Sequence, residues 1–231
     1  MNFETNVIET IQRTPYVKSI RFTKPQGFDY LPGQYLFITL GSDSDQMTKH
    51  FTISSSPTEN FLEITKRLTG HPFANALANL EKGDKVSIMG PYGDFTFQGE
   101  YEKVGMLTGG IGITPLRSMI KYSINKDLGA NIILLYSSSH EDDIVFGEEL
   151  AEIQEQSDNI KVIETITRPG ANWKGLTGRI DAEMVKKFIP DYSERVFYTS
   201  GPQKMVDAMA SILRELKVPE MQIKQEYFPG Y

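Results

Sequence analysis

The fold of this chain is decided by the stretch Leu107-Thr108-Gly109-Gly110-Ile111-Gly112-Ile113-Thr114-Pro115-Leu116. The apolar run at residues 104–107 predicts a buried strand, and the glycines after it allow a tight turn in which the backbone approaches a ligand. Thr114 and Pro115 suit the N-cap and first turn of a helix. Free N–H groups at that helix start, with the positive end of the helix dipole, would face a pyrophosphate. A glycine turn on its own can also be purely structural.

Downstream of Tyr101, predicted strands alternate with predicted helices. Short apolar runs predict strands near residues 104–108, 131–136, 160–166, 195–199 and 221–225. Between them, apolar residues recur at helical spacing. These are Leu116, Met119 and Ile120, then Phe146, Leu150 and Ile153, then Met205, Met209, Ile212, Leu213 and Leu216. The alternation is typical of a parallel sheet with crossover helices.

Upstream of about residue 99 the apolar residues follow a period of two, which indicates strands. The alternating pairs and triplets are Ile20 and Phe22; Leu36, Ile38 and Leu40; Leu62 and Ile64; Val86 and Ile88. Pro-Gln-Gly, Pro-Gly-Gln and Lys-Gly-Asp turns separate these short strands, and only residues 72–80 look helical. The pattern favours an antiparallel barrel. The change of period places a domain boundary near residues 99–103.

Composition excludes several classes of protein. The chain has 231 residues, 39% of them hydrophobic, which is enough to bury a substantial core. It has no cysteine, which excludes disulfides, thiolate zinc sites and a cluster held by its own thiolates. A net charge of −6 argues against general nucleic-acid binding. No apolar run is long enough to span a membrane and no secretion signal is recognisable, so we expect a cytoplasmic protein.

Metal and serine-nucleophile chemistry lack sequence support. The three histidines, His50, His71 and His140, lie far apart without ligand spacing, so we expect no metal site. The serine triplets at residues 54–56 and 137–139 do not lie in a Gly-x-Ser-x-Gly elbow.

Four further segments accompany the glycine turn. They are Leu31-Pro32-Gly33-Gln34-Tyr35, Lys49-His50-Phe51-Thr52-Ile53-Ser54-Ser55-Ser56-Pro57, Gly90-Pro91-Tyr92-Gly93-Asp94-Phe95, and Thr199-Ser200-Gly201-Pro202 followed by Met205. In this order and spacing they resemble the ferredoxin–NADP reductase family of flavoproteins. The resemblance implies two domains: an N-terminal antiparallel Greek-key β-barrel that binds FAD (residues 1–99), and a C-terminal α/β Rossmann-like parallel sheet that binds NAD(P)H (residues 100–231).

The resemblance also implies which residues hold the flavin. The family's Arg-x-Tyr-Ser motif matches Lys49, Phe51 and Thr52, with His50 between them. Lysine keeps the charge of arginine without its bidentate fork, phenylalanine keeps the stacking face, and threonine keeps a hydroxyl near flavin N5. A second flavin segment contributes Ile64, Thr65, Lys66, Gly70, Pro72, Phe73 and Ala74, where the family usually has serine at Ala74. Phe51 as an inward barrel residue and Lys66 as a solvated strand residue are the open alternatives.

For the nicotinamide dinucleotide, the resemblance implies a second set of residues. Gly109, Gly110, Gly112, Thr114 and Pro115 would seat its pyrophosphate, and Arg117 and Arg168 match positions where relatives place basic residues near its phosphates. Ser200, followed by Gly201 and Pro202, replaces the family's frequent cysteine near the nicotinamide; a helix N-cap is the alternative role. The acidic run at residues 141–143 could instead favour an unphosphorylated ribose, so the choice between NADH and NADPH stays open.

The C-terminal segment implies the last site residues. In the family an aromatic ring covers the flavin and a carboxylate lies near the reacting ring, which assigns Phe228, Tyr231 and Glu226. Phe228 packed on the sheet is the alternative. The catalytic residues implied are Thr52, Ser200 and Glu226.

The function implied is transfer of a hydride from NAD(P)H to bound FAD, with electrons passing to a separate acceptor such as ferredoxin or another small redox carrier. An NAD(P)H:free-flavin reductase is one alternative, because Lys49 and Ala74 would weaken the grip on flavin. A non-catalytic flavin-binding regulatory or electron-transfer module is the other.

Overall fold

Six strands in the first half of the chain form one antiparallel sheet. The structure is a computed structural model and describes residues 1–41 and 46–228. The strands are β1 (Asn2–Thr14), β2 (Val17–Thr23), β3 (Tyr35–Leu40), β4 (Met47–Thr52), β5 (Phe61–Arg67) and β6 (Lys85–Tyr92). They pair in the order β4-β3-β6-β1-β2-β5, and a bridge from Ile53 to Ile64 joins the two edges. The predicted antiparallel barrel is therefore confirmed.

The barrel interior follows from the period of two. Along β3, Leu36, Ile38 and Leu40 are buried while the residues between them are half-buried. Helix α1 (Pro72–Ala78) lies at the barrel mouth and buries Phe73 and Leu77 in the same core. The burial of these apolar side chains is the main force that holds the barrel.

The second half forms a six-stranded parallel sheet with helices on both faces. Its strands are β7 (Lys103–Gly109), β8 (Asn131–Ser138), β9 (Ile160–Ile166), β10 (Leu176–Thr177), β11 (Val196–Gly201) and β12 (Ile223–Tyr227), in the order β10-β9-β8-β7-β11-β12. Helices α2 (Ile113–Asn125) and α3 (Gly147–Gln156) bury their apolar residues in one core. Helices α4 (Ala182–Phe188) and α5 (Gln203–Glu215) do so in another. The predicted Rossmann-like parallel sheet is confirmed.

The helix after the glycine turn begins differently from the prediction. Residues Gly110–Gly112 form a 3-10 turn, and α2 starts at Ile113 with Gly112 as its N-cap. Thr114 is the second helical residue, and its hydroxyl donates to the carbonyl of Ile111 at 3.2 Å. The prediction of Thr114 as the N-cap was wrong. A 3-10 turn precedes the α-helix, and its carbonyls already accept the backbone N–H of Ile113 at the helix start.

The two halves interlock at the hairpin between β1 and β2. Val17 at its tip is buried in the core of the second half, in the cluster that includes Ile111 and Val145. Tyr198 of β11 packs edge-on against Phe95, with 5.3 Å between ring centroids, and its hydroxyl donates to the carbonyl of Thr96 at 3.0 Å. In the part of the chain that the structure describes, no helix has the length and apolarity that crossing a membrane requires.

Candidate functional site

A cavity lies where the barrel mouth meets the second half, and we call it the barrel cavity. Its volume is about 270 Å³. It is lined by Tyr35, Lys49, His50, Phe51, Thr52, Thr65, Lys66, Thr69, His71, Phe73, Ala74, Ile111, Thr114, Glu226, Tyr227 and Phe228. Most of the predicted flavin residues are therefore brought together. Ile64 is buried in the barrel core, and Gly70 and Pro72 lie outside the lining.

Two lysines give the barrel cavity a positive end. Lys49 lies within β4 and Lys66 on β5, two strands that the closing bridge brings side by side. Burial, with the positive charge of Lys49, lowers the pKa of Lys66 to about 8. The same two effects, together with the charge of Lys66 itself, lower the pKa of His50. Because these cations repel one another, an anion such as a pyrophosphate would bind favourably between them.

Two phenylalanines form an aromatic part of the cavity wall. The rings of Phe51 and Phe73 stack with 5.7 Å between centroids and an interplanar angle of 27°. Phe51 belongs to the barrel core and still lines the cavity, so the inward role and the cofactor-facing role are compatible. Thr52 pairs with Tyr35 of β3, and both side chains line the cavity. The donor set, two cations, a hydroxyl and an apolar aromatic wall, fits the phosphates and ring system of a flavin nucleotide.

Glu226 is the acid of the barrel cavity. It lies on β12 directly beside Ser200 of β11. Burial, with the negative charge of Asp94, raises the pKa of Glu226 to about 6. A carboxyl group with this pKa can hold or release a proton near neutral pH.

A second cavity, the sheet-edge cavity, lies at the carboxyl ends of β7, β8, β9 and β10, and its volume is about 720 Å³. It is lined by Tyr16, Val17, Arg67, Gly109, Gly110, Ile111, Ser137, Ser138, Ser139, Asp143, Val145, Thr167, Arg168, Gly178, Arg179, Ile180, Lys204, Met205, Ala208 and Met209. Carboxyl ends of parallel strands are where nucleotides bind in open α/β sheets.

The glycine turn between the two cavities is held by hydrogen bonds. A Cβ on Gly112 would lie 2.1 Å from the carbonyl oxygen of Ser200, so only glycine fits there. The Ser200 hydroxyl donates to the carbonyl of Gly112 at 2.7 Å. The Tyr136 hydroxyl donates to the carbonyl of Gly110 at 3.0 Å. These contacts fix the backbone that the predicted pyrophosphate would meet.

Several predicted nucleotide residues lie outside both cavity linings. Ser200 is fully buried and its hydroxyl faces the turn; the N-cap of α5 is Pro202, which corrects the alternative role of Ser200. Pro115, in α2, and Gly201, at the end of β11, are also absent from both linings. Phe228 lines the barrel cavity and also packs on the second-half core. Tyr231 lies outside the described residues.

Arg117 corrects a sequence prediction. It is 2% exposed, and all five of its N–H groups are engaged. They donate to the Ser54 carbonyl and to the carboxylates of Glu59 and Glu149. Burial opposes the charged carboxylate, but the guanidinium of Arg117 outweighs it and holds the pKa of Glu59 below its usual value. Arg117 therefore ties the barrel to α3 and has no donor left for a phosphate.

Other side chains in the cavities were not predicted as site residues. Tyr16, Arg179 and Lys204 line the sheet-edge cavity, and Tyr35, Thr69 and His71 line the barrel cavity. Local pattern gave no signal for Tyr16, because it lies in a hairpin of the other half. Within residues 1–41 and 46–228, no group of three or more His, Cys, Asp or Glu side chains is placed to hold a metal ion.

Family models match both halves. The oxidoreductase FAD-binding domain matches residues 5–97, and the oxidoreductase NAD-binding domain matches residues 106–211. The chain belongs to the ferredoxin–NADP reductase-like family. These two domains identify FAD as the cofactor and NAD(P)H as the co-substrate.

Individual relatives agree with the family. The chain is 31% identical over 216 residues to the glycine betaine monooxygenase reductase subunit of Chromohalobacter salexigens, covering 90% of this chain but 59% of that relative. It is 27% identical to ferredoxin–NADP reductase B of Sorangium cellulosum, covering 97% of this chain and 95% of the relative. A Neisseria gonorrhoeae ferredoxin–NADP⁺ reductase, solved with bound FAD and NADP, has the same fold, with a TM-score of 0.84 at 20% identity, covering 98% of this chain and 99% of that one.

Proposed function

We propose that this chain is an NAD(P)H-dependent flavoprotein reductase that passes electrons to a separate acceptor, such as ferredoxin or another small redox carrier. One observation carries the proposal: Ile111, at the centre of the glycine turn, lines both cavities. Two nucleotides held in these cavities would therefore meet at the turn. Contact between their ring systems is the geometry that direct hydride transfer requires.

The barrel cavity would hold FAD, which supplies the redox chemistry when it is bound. Lys49 and Lys66 would contact its pyrophosphate, and Phe51 and Phe73 would pack beside its ring. The hydroxyl of Thr52 would lie at the reacting edge. Glu226, which also lines this cavity, would hold a proton there, since burial raises the pKa of its carboxyl to about 6.

The sheet-edge cavity would hold the nicotinamide dinucleotide. Gly109 and Gly110 would present the backbone to its pyrophosphate, with Lys204 beside them. Ser200 acts as a positioning residue, because its hydroxyl holds Gly112 in place.

The experiment is an anaerobic visible titration of the purified protein with NADH and, separately, NADPH. We expect a bound-flavin spectrum that bleaches on addition of a dinucleotide. A coloured protein that neither dinucleotide bleaches would contradict the proposal and favour the non-catalytic module.

A free-flavin reductase is the second candidate, favoured by Lys49 in place of arginine and Ala74 in place of serine. It would be purified colourless and would reduce added flavin in solution, so the same titration separates the two functions. The cytoplasm is the location we propose for either activity.

A further inference from the structure

We infer that Arg117 and Ser118, two neighbouring residues of α2, are positioning residues for hydride transfer, because they hold the end of β4 at a fixed place relative to the glycine turn. The inference rests on the proposed function, since it concerns how the two nucleotides would be aligned. It also assigns a role to the serine run at residues 54–56, which lies outside both cavity linings.

Helix α2 follows the glycine turn without a break. Gly112 is its N-cap, and Ser118 lies in its second turn. At about 1.5 Å per residue, the six steps from Gly112 to Ser118 span roughly 9 Å along the helix axis. Such a short helical segment is stiff, because its backbone hydrogen bonds are made within the helix. Whatever holds Ser118 therefore also holds the turn.

The serine run follows β4 in the same direct way. β4 ends at Thr52, and Ser54 lies two residues further on, roughly 7 Å away in an extended chain. All three serines are fully buried. The N–H of Ser54 donates to the carbonyl of Glu63 at 2.7 Å, and the N–H of Glu63 donates to the hydroxyl of Ser55 at 2.9 Å. These bonds attach the run to β5 of the barrel.

The carbonyls of the same serines are bound by α2. An N–H of Arg117 donates to the Ser54 carbonyl at 3.0 Å, and the Ser118 hydroxyl donates to the Ser55 carbonyl at 2.6 Å. We call these two hydrogen bonds the serine clamp. Arg117 is 2% exposed and Ser118 is fully buried, so water does not compete for these bonds. The serine clamp thus joins the end of β4 to the helix of the glycine turn.

A carboxylate stiffens the serine clamp. Glu59 accepts hydrogen bonds from Arg117 and also accepts the backbone N–H of Ser56 at 2.6 Å. Glu149 of α3 binds the same guanidinium from the other side. Because the guanidinium is held on all sides, α2 and the serine run are expected to move as one body.

This connection matters because the proposed reaction depends on alignment. The dinucleotide is oxidised as its hydride passes to the flavin, which is reduced. A misplacement of about 1 Å can slow such a step about a hundredfold. Neither Arg117 nor Ser118 lines a cavity. Loosening the serine clamp should therefore slow the transfer while both nucleotides still bind.

The test is anaerobic stopped-flow reduction of the FAD-loaded protein by NADH and, separately, by NADPH. Ser118→Ala should lower the rate at saturating dinucleotide about tenfold and change the apparent Kd less than about twofold. The variant should fold, because the Ser55 carbonyl keeps a hydrogen bond from the Tyr30 hydroxyl at 3.1 Å. Ser123→Ala is the matched control: Ser123 is buried on the same helix, and its side chain makes no hydrogen bond to the described part of the barrel.

A spectroscopic readout separates positioning from a general loss of structure. A nicotinamide stacked on a flavin absorbs at long wavelength through charge transfer. We expect this absorbance when NAD⁺ or NADP⁺ is added to the photoreduced protein. Ser118→Ala should weaken it at saturating dinucleotide, while calorimetric titration of the FAD-free protein with FAD should give an unchanged affinity.

Arg117→Lys is a second variant. It keeps the positive charge beside Glu59 and Glu149, but one ammonium group cannot reproduce the fork that also reaches the Ser54 carbonyl. The limiting rate and the long-wavelength absorbance should both fall, as in Ser118→Ala.

Three results would overturn the inference: an unchanged limiting rate in Ser118→Ala, an equal loss in Ser123→Ala, or a rise in Kd that accounts for the whole effect. Each of them is observed with an unaltered protein whose flavin is reduced. If neither dinucleotide reduces the flavin of the unaltered protein, the proposed function fails and this inference fails with it.

Discussion

At the scale of single residues, Arg117 shows how a buried charge can be fully satisfied. Its guanidinium is surrounded by a carbonyl and two carboxylates drawn from both halves of the chain. A buried ion pair of this kind contributes little compared with an apolar replacement of the whole group, but removing one partner is costly because the others stay charged.

We therefore expect Arg117→Met to destabilise the protein by about 3–5 kcal/mol, because Glu59 and Glu149 would lose their counter-charge. Urea unfolding of the FAD-free protein measures this change. Lys126→Met, on an exposed residue at the end of α2, should change stability by less than about 0.5 kcal/mol. A small effect of Arg117→Met would show that the network relaxes without loss.

The same network predicts a pH dependence of stability. The pKa of Glu59 is lower in the folded protein than its usual 4.5, so its stabilisation is complete above that pH. It is lost as the pH falls through the folded-state pKa. The stability difference between the unaltered protein and Glu59→Gln should accordingly shrink on acidification. A difference that stays constant between pH 7 and pH 3 would contradict the ion pair.

The raised pKa of Glu226 predicts that reduction of the flavin by NAD(P)H depends on pH. Its carboxyl becomes negative as the pH rises through about 6, and a negative charge beside the barrel cavity opposes arrival of a hydride there. Stopped-flow traces should show reduction slowing above pH 6, and Glu226→Gln should remove that step. Glu220→Gln, on an exposed carboxylate paired with Arg214, should keep it.

At the scale of elements, the junction of β7, the glycine turn and α2 controls how the two cavities meet. Thr108 donates to the carbonyl of Ser200 at 2.9 Å, so the end of β7 and the end of β11 are joined under the turn. The turn is thus set by contacts from neighbouring strands and not by its own sequence alone.

Gly112→Ala should displace this junction, because the added carbon would lie 2.1 Å from the Ser200 oxygen and 2.5 Å from the Thr108 hydroxyl. We expect a loss of about 1–3 kcal/mol in stability, typical of overpacking, and weaker binding of the dinucleotide. Thermal unfolding and calorimetry measure the two effects. Gly110→Asn is the control for stability, since that position is open and its φ of +52° suits asparagine; an equal loss of stability in both variants would refute the steric explanation.

Elements with a strong period could be predicted from the sequence, and short ones could not. The strand predicted at residues 160–166 coincides with β9, and the helix predicted at residues 72–80 differs from α1 by two residues at its end. The two-residue β10 and the seven-residue α4 carry too few apolar positions for a period to show. The role of Arg117 was mispredicted for a different reason: its partners come from residues 54, 59 and 149, and no local pattern specifies such distant contacts.

At the scale of the whole molecule, the order of the motifs predicted one nucleotide site on each of two domains. How the two cavities are placed relative to one another depends on long-range packing between the halves. The barrel cavity takes residues from β12, and the sheet-edge cavity takes Tyr16 and Arg67 from the barrel. Each half therefore contributes residues to the cavity of the other, a relation that the sequence of either domain alone does not specify.

Because Val17 is buried in the core of the second half, the two halves cannot separate freely. A hinge motion that pulled the halves apart would drag this apolar side chain into water and leave a hole beside Ile111 and Val145, at a cost of about 1–3 kcal/mol before any polar contact broke. We therefore expect the dinucleotide to enter and leave at the carboxyl ends of the parallel strands while the two halves stay in contact.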